Sequence, residues 1–303
     1  MEVLRFRKKI MSIVRIIPRL DIKGSNLVKG IHLEGLRVLG KPELFARHYY
    51  ETGADELIFM DVVASLYGRN SLHEIIQRTA KEIFIPLTVG GGLRTIDDIR
   101  AVLRAGADKV FLNTAAIKRP EFIREAAQKF GSSTIVVSIE AKRFADGHYE
   151  AYTDNGREST GVDVFEWATR VVELGAGEIL ITSIDQEGTG KGFDFELTKQ
   201  IADAVNVPVI ACGGAGQSAH VSQVIQEANA NAVCVASMFH YGFVDLMRQH
   251  AADYASEGNT EFLKSGSSFS KVQPLTVAEL KAYLMKAGIS CRPFIAESLK
   301  VAS

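Results

Sequence analysis

Asp21 and Glu140 each stand at the end of an apolar, β-branched run, Val14–Ile22 and Thr134–Glu140. Two carboxylates held a substrate width apart can divide acid and base duties, the chemistry that ring closure or elimination needs. An ordinary ion pair, with Lys29 or Lys142, is the competing account of either residue. Two glycine clusters also follow apolar runs: Gly90-Gly91-Gly92 and Gly213-Gly214-Ala215-Gly216. Glycine lets backbone N–H groups close in on an oxyanion, and a helix starting there adds a favourable dipole. Asn113, Thr114 and Ser237 end the next run in each case and offer donors beside the clusters. A lone cluster is more often a tight turn. A duplicated one predicts two phosphate cups, and hence a long substrate with phosphate at both ends. Arg15, Glu56, Lys109 and Glu178 open four runs with two cations and two anions, which physics alone explains as a stabilising salt-bridge network. The 7 His residues form no HxxxH-like cluster, so no metal or other cofactor is expected, and His240 is expected to be a packed structural histidine.

The elements that must position these residues alternate. Strand-like runs cover Val14–Ile22, Glu56–Val62, Phe84–Val89, Lys109–Asn113, Thr134–Glu140, Glu178–Ser183, Val207–Cys212 and Ala232–Ser237. They are almost continuously apolar, as parallel strands covered on both faces must be. Helical periodicity falls between them, at Pro42–Glu51, Leu72–Lys81, Ile96–Arg104, Glu121–Lys129, Val164–Leu174, Phe195–Ala204 and Ala219–Ala228. Thr95 with Asp98, and Pro120 with Glu121, mark helix starts. Such alternation fits an α/β fold, either a (β/α)8 barrel or an open doubly wound sheet. An internal repeat decides. Ile85-Pro86-Leu87 returns as Val207-Pro208-Val209 and Gly53-Ala54-Asp55 as Gly175-Ala176-Gly177, both at an offset of 122 residues. Each half then holds four βα units with open sheet edges, and two halves closing on each other give a (β/α)8 TIM barrel. Asp21 and Glu140 would face one another across its mouth.

The chain has 303 residues, 47% hydrophobic, with 35 Lys+Arg against 36 Asp+Glu. That supports a large core and argues against nucleic-acid binding through general charge. No stretch approaches the roughly 18 apolar residues of a membrane span. Three cysteines without a CxxC fit a reducing cytoplasm, and Cys212 and Cys234 are expected to be buried structural thiols. The basic start lacks the apolar core of a signal peptide. Residues 1–13 are expected to form an N-terminal extension and 14–303 a single barrel domain. A polar, Gly/Ser-rich insertion at about 251–274 is expected as a surface loop.

Arg15-Ile16-Ile17-Pro18-Arg19-Leu20-Asp21, Leu87-Thr88-Val89-Gly90-Gly91-Gly92, Gly106-Ala107-Asp108-Lys109-Val110, Gly175-Ala176-Gly177-Glu178-Ile179-Leu180 and Ala211-Cys212-Gly213-Gly214-Ala215-Gly216 closely resemble the cyclase subunit of imidazole glycerol phosphate synthase. The likeness runs from about Arg15 to Tyr241 and resumes over Leu275–Arg292. It implies a lyase of histidine biosynthesis that forms a heterodimer with a glutaminase. Ammonia released by that partner would cross the barrel from its N-terminal face to a bisphosphorylated ribulosyl aminoimidazole-carboxamide ribotide. The products would be imidazole glycerol phosphate and an aminoimidazole carboxamide ribotide. By the resemblance, Asp21 and Glu140 are the catalytic pair, and Lys29, Gly91, Gly92, Asn113, Thr114, Glu187, Gly213, Gly214 and Ser237 hold substrate or phosphate. Arg15, Glu56, Lys109 and Glu178 match the ammonia gate, and Asp108 a docking contact. Glu140 and Glu187 stand where the family has aspartates, and Cys212 where it has a serine. These departures keep three alternatives open: a paralog that converts an amide of a nucleotide-linked sugar to an amidine for surface polysaccharide, a non-catalytic glutaminase activator, and the related isomerase.

Overall fold

The computed structural model describes residues 13–64, 72–249 and 271–294. Twelve strands among them form one sheet. Eight run parallel: β1 (Arg15–Lys23), β4 (Leu57–Asp61), β5 (Leu87–Gly90), β6 (Lys109–Leu112), β7 (Ile135–Arg143), β10 (Glu178–Ser183), β11 (Val209–Cys212) and β12 (Ala232–Val235). Neighbours pair in the order β10-β11-β12-β1-β4-β5-β6-β7, and β7 pairs with β10 to close the ring. Three strands separate β1 from β7 on either side, so Asp21 and Glu140 rise from opposite staves. The fold is the expected (β/α)8 barrel.

Helices pack on the outside, each burying an apolar stripe. The helix Ile96–Ala105 starts with a capping box between Thr95 and Asp98 and buries Ile99, Val102 and Ala105. Asp163 and Asp194 cap the helices Val164–Glu173 and Phe195–Ala204 by accepting backbone N–H bonds. The half-barrel repeat reappears as hydrogen bonds. The Asp108 carboxylate accepts from the Leu87 N–H at 2.8 Å, and the Asn231 amide oxygen accepts from the Val209 N–H at 2.9 Å. Leu57 and Ile179 donate in the same way to Pro86 and Pro208. Outward side chains of the strands meet the helices in one large core, while Ile17, Ile58, Val136, Leu180 and Ile210 fill the lumen in a second.

Two features depart from the sequence-based expectation. The run Phe84–Val89 becomes strand only from Leu87, and Phe84 is 81% exposed at the N-terminal end of the barrel. Strands β1 and β7 each continue into an antiparallel hairpin, β2 (Asn26–Ile31) with β3 (Glu34–Gly40) and β8 (Tyr149–Thr153) with β9 (Glu158–Asp163). Residues 1–12 of the expected 1–13 extension and most of the insertion, 251–270, lie outside the described residues. Among the described residues no helix is long and apolar enough to cross a membrane.

The last described helix, Val277–Lys286, is tied to the barrel floor by charge. Lys281 donates to the Asp55 carboxylate at 2.6 Å, with side chains 1% and 6% exposed, and Asp55 also accepts from the Ile16 N–H. Breaking a buried pair leaves a charge without compensation. Lys281→Ala is therefore expected to lower unfolding free energy in urea by about 3 kcal/mol. Arg292→Ala removes a half-exposed partner of the same carboxylate and is expected to cost under about 1 kcal/mol.

Candidate active site

Side chains two apart on a strand face the same way, so Arg15, Ile17, Arg19 and Asp21 of β1 form one column along the lumen. At its floor the four charged residues close a ring. Arg15 reaches Glu56 at 2.6 Å and Glu178 at 3.1 Å, and Lys109 reaches Glu56 at 3.2 Å and Glu178 at 2.8 Å. Each cation thus bridges both anions, and the apolar lumen layer sits directly above.

Arg19 occupies the next polar layer, where sequence reasoning had assigned nothing. Its guanidinium is buried and donates to the Asp21 carboxylate at 2.7 Å. Its remaining contacts are to sulfur, Met60 Sδ at 2.9 Å and Cys212 Sγ at 3.6 Å. Asp21 is therefore ion-paired, with a partner other than either lysine considered from sequence. Lys29 is bonded to Glu187 at 2.5 Å, both side chains being buried, and Lys142 is bonded to Asp185.

Glu140, across the ring, has no cationic partner within bonding distance among the described residues. One carboxylate oxygen accepts from the Asn113 side-chain amide at 3.0 Å and from the Gly156 N–H at 2.8 Å. The other is buried without a hydrogen bond. Burial outweighs the attraction of Arg19, and the nearby Asp21 and Asp154 charges add to it, raising the Glu140 pKa to about 7. The arrangement keeps a protonated carboxyl available near neutral pH beside an ion-paired carboxylate.

Both hairpins fold over the mouth. Asp154, Asn155 and Gly156 turn the second one with positive φ, a signal for a tight hairpin that the sequence displays plainly. His32 and Leu33 turn the first, and Leu33 at φ 64 is a strained choice that no composition rule foretells. The His32 N–H donates to the Glu187 carbonyl, and the Asn155 amide donates to the Leu33 carbonyl at 3.4 Å, so the two hairpin tips touch.

Beneath the second tip lies a cavity of about 470 Å3 lined by Gly91, Gly92, Asn113, Thr114 and Glu140. Arg94, Lys118 and Arg119 add three cations to its wall. These follow the glycine cluster and the β6 end. Gly91 has φ 103, and any Cβ there would overlap the Asp61 carbonyl. Gly213, Gly214 and Ser237 lie outside this wall. Gly214, also at φ 103, accepts from the Gly192 N–H at 2.8 Å, and the Gly216 carbonyl accepts from the Gln273 N–H at 2.7 Å. Lys29 lines a separate cavity of about 300 Å3 with Gly30, Arg37 and Tyr241.

His240 is fully buried, bonded to the Tyr49 hydroxyl at 2.5 Å, and desolvation pushes its pKa down to about 3, as a packed neutral histidine requires. The three cysteines are buried and free. Asp108 is exposed at the charged-ring end of the barrel, where its carboxylate starts β5 through the Leu87 N–H. Among the described residues no group of three or more His, Cys, Asp or Glu is arranged to hold a metal ion.

A family model described as a histidine biosynthesis protein matches residues 15–245. Imidazole glycerol phosphate synthase subunit HisF of Legionella pneumophila is 62% identical over 207 residues, which are 68% of this chain and 98% of that protein. The subunit HisF of Alkaliphilus metalliredigens (strain QYMF) is 47% identical over 234 residues, 77% of this chain and 93% of that protein.

The raised Glu140 pKa has a stability consequence of defined sign. A proton kept in the folded state up to about pH 7 stabilises the fold fully below the ordinary value of 4.5, and this contribution is lost as pH rises through that window. Relative to Glu140→Gln, the wild-type chain is expected to lose about 3 kcal/mol of stability between these limits and to show no further change above them. Paired urea titrations across pH would show this, and a flat difference would exclude the raised pKa.

Proposed function

The chain belongs to the histidine biosynthesis protein family, and on that premise we propose how its barrel performs the family's chemistry. It is a cyclase subunit of the imidazole glycerol phosphate synthase type, a lyase. In our proposal, ammonia from a glutaminase partner enters through the ring of Arg15, Glu56, Lys109 and Glu178 and meets a bisphosphorylated ribulosyl aminoimidazole-carboxamide ribotide at the mouth. Imidazole glycerol phosphate and an aminoimidazole carboxamide ribotide leave. The observation that carries this reading is the lumen itself, with a closed charged ring at one end and a carboxylate pair from opposite strands at the other.

Joining ammonia to a carbonyl carbon expels that oxygen as water, and closing the ring breaks the carbon–nitrogen bond to the aminoimidazole carboxamide ribotide, so the incoming nitrogen must lose protons while the departing oxygen and the departing nitrogen gain them. Glu140, with its pKa at about 7, suits the proton donor, and Asp21 the acceptor. We assign one phosphate to Gly91, Gly92, Asn113 and Thr114, where the cationic wall supports it, and the other to Gly213, Gly214 and Ser237. Lys29 and Glu187, bonded to each other, would order the first hairpin against the substrate. The glutaminase would dock on the gate side, where Asp108 and the exposed Phe84 lie, since a large aromatic left in water favours a partner. A cytoplasmic setting completes the proposal. Both relatives carry the histidine-pathway name, and no observation favours the sugar-amidating, activator or isomerase alternatives over it.

The direct test incubates the purified chain with the ribotide and excess ammonium, which replaces the glutaminase. Turnover is expected, and Asp21→Asn or Glu140→Gln is expected to lower kcat by about 100-fold to 10,000-fold with the fold retained. Full activity in Asp21→Asn would remove it from the catalytic pair. Phe84→Lys is expected to leave ammonium-driven turnover unchanged while weakening glutaminase binding at least tenfold in a titration.

A further inference from the structure

Arg19 has no role in the function proposed above, yet it is the bonded partner of one member of the carboxylate pair. The side chains of Arg19 and Asp21 are 3% and 5% exposed, and the Arg19 Nε–H donates to one Asp21 oxygen at 2.7 Å. Among the described residues the other Asp21 oxygen has no hydrogen-bond partner. The guanidinium rises from one layer below. Arg19 pairs in register with Ile58, but its terminal nitrogens reach Met60 Sδ at 2.9 Å and Cys212 Sγ at 3.6 Å. Met60 is level with Asp21, and Cys212 is level with Thr182 and so with Glu140. Met60 and Glu140 both line the larger cavity, so the guanidinium lies just beneath the floor of the site. Charged and titratable groups surround the pair from every neighbouring element. Glu140 stands on β7, and Glu187, after β10, is already bonded to Lys29 of β2. Asp61 ends β4 and accepts from the Val63 N–H. Cys212 and Cys234 stand on β11 and β12, and His240, on the helix that follows, is held neutral by burial. Asp154, in the turn of the second hairpin, acts on Glu140. Of these groups only Arg19 bonds to the Asp21 carboxylate.

Resting on the proposed division of proton transfer between the two carboxyl groups, we propose that Arg19 is the positioning residue of the catalytic pair. It ties Asp21 to its own strand, keeps that carboxylate ionised, and leaves the unbonded oxygen to take a proton from the incoming nitrogen. In that step an N–H bond breaks, its electron pair stays on nitrogen, and an O–H bond forms at Asp21. Two carboxyl groups in one buried site cannot both stay ionised without a compensating cation. With Arg19 in place the pair carries a single proton near neutral pH, and that proton rests on Glu140. Without it the two groups would share protons, and the acceptor would be filled before the substrate arrived. Sulfur accepts hydrogen bonds weakly, so Met60 and Cys212 do not draw the guanidinium away from Asp21.

Carbon-13 NMR of the full chain, labelled at its Glu side-chain carboxyls, tests this without any turnover. The Glu140 resonance, assigned by its loss in Glu140→Gln, reports the pH at which that group gives up its proton. Arg19→Met removes a charge that favours the ionised form, so the midpoint is expected to rise from about 7 by about one pH unit or more. Arg19→Lys is expected to return it toward the wild-type value. In turnover, with ribotide and a fixed concentration of free ammonia at every pH, Arg19→Met is expected to lower kcat by about 100-fold with KM nearly unchanged. Its rate relative to wild type should recover as pH rises and Asp21 regains its charge, whereas a merely structural defect gives a constant ratio. Arg19→Lys should restore most of kcat. Arg19→Gln serves as a second neutral variant, with circular dichroism checking the fold of each. A folded neutral variant with the wild-type Glu140 midpoint, or with the wild-type kcat, would overturn the proposal. Failure of the wild-type chain to turn over the ribotide would instead overturn the proposed function, and the NMR midpoints would still read the part played by Arg19.

Discussion

Closure of the ring through the β7–β10 pair is the constraint on which everything else depends. It removes both sheet edges, so eight strands of mostly four to nine residues stand without exposed ladders. It also creates an interior that every second side chain must fill. Along β1 the alternation sends Ile16, Leu20 and Ile22 to the helices and Arg15, Ile17, Arg19 and Asp21 to the lumen. A slip of one residue would exchange these sets and expel the charged column into the apolar shell. The parallel register of β1 with β12 and β4 is thus as much a functional constraint as a structural one.

Charges placed inside such a lumen must be compensated within it, and the two polar layers solve this differently. At the floor, four partly buried side chains share their bonds, so no charge depends on a single partner. In the layer above, Arg19 relies on Asp21 for its one strong acceptor and fills its remaining directions with sulfur. Buried pairs of this kind gain little stability over apolar packing. Where stability is needed, the floor supplies it through Asp55, which gathers the Ile16 N–H, Lys281 and Arg292 at one carboxylate.

The fold was legible because its signals are local and repeated. Pro86 and Pro208 accept equivalent strand-entry bonds from Leu57 and Ile179, and Asp108 and Asn231 start β5 and β11 in the same way. A repeat preserved at that level survives as an offset in the sequence. Of the site, the ring and the carboxylates were legible because they sit at strand ends, where polar residues interrupt apolar runs. Arg19 was not, since it lies within such a run and its direction depends on the barrel being closed. The hairpins were missed for two reasons. Asp154-Asn155-Gly156 carries a turn signal that an account built on βα units passes over. His32-Leu33 carries none, and its left-handed turn is imposed by contacts of the tip with Glu187 and Asn155. Phe84 shows the converse error, a β-prone residue whose exposure is set by where the strand begins.

The longer carboxylate at position 140 acquires a physical rationale from these hairpins. Its side chain spans from β7 to the Gly156 N–H at the tip of the second hairpin while keeping the Asn113 amide, and Asn113 in turn donates to the Tyr152 carbonyl at 3.1 Å. One carboxylate oxygen is thereby fixed to the hairpin tip and the other is left bare and buried. A shorter side chain reaching the same mouth would have to give up the hairpin bond or draw the tip inward. Asp21, by contrast, needs no reach, because its partner rises from the same strand two residues below. Two carboxyl groups with unlike partners, one bound to a buried guanidinium and one to neutral donors, are what a division between proton acceptor and proton donor requires. The asymmetry arises from Arg19 on one side of the ring and from the hairpin on the other.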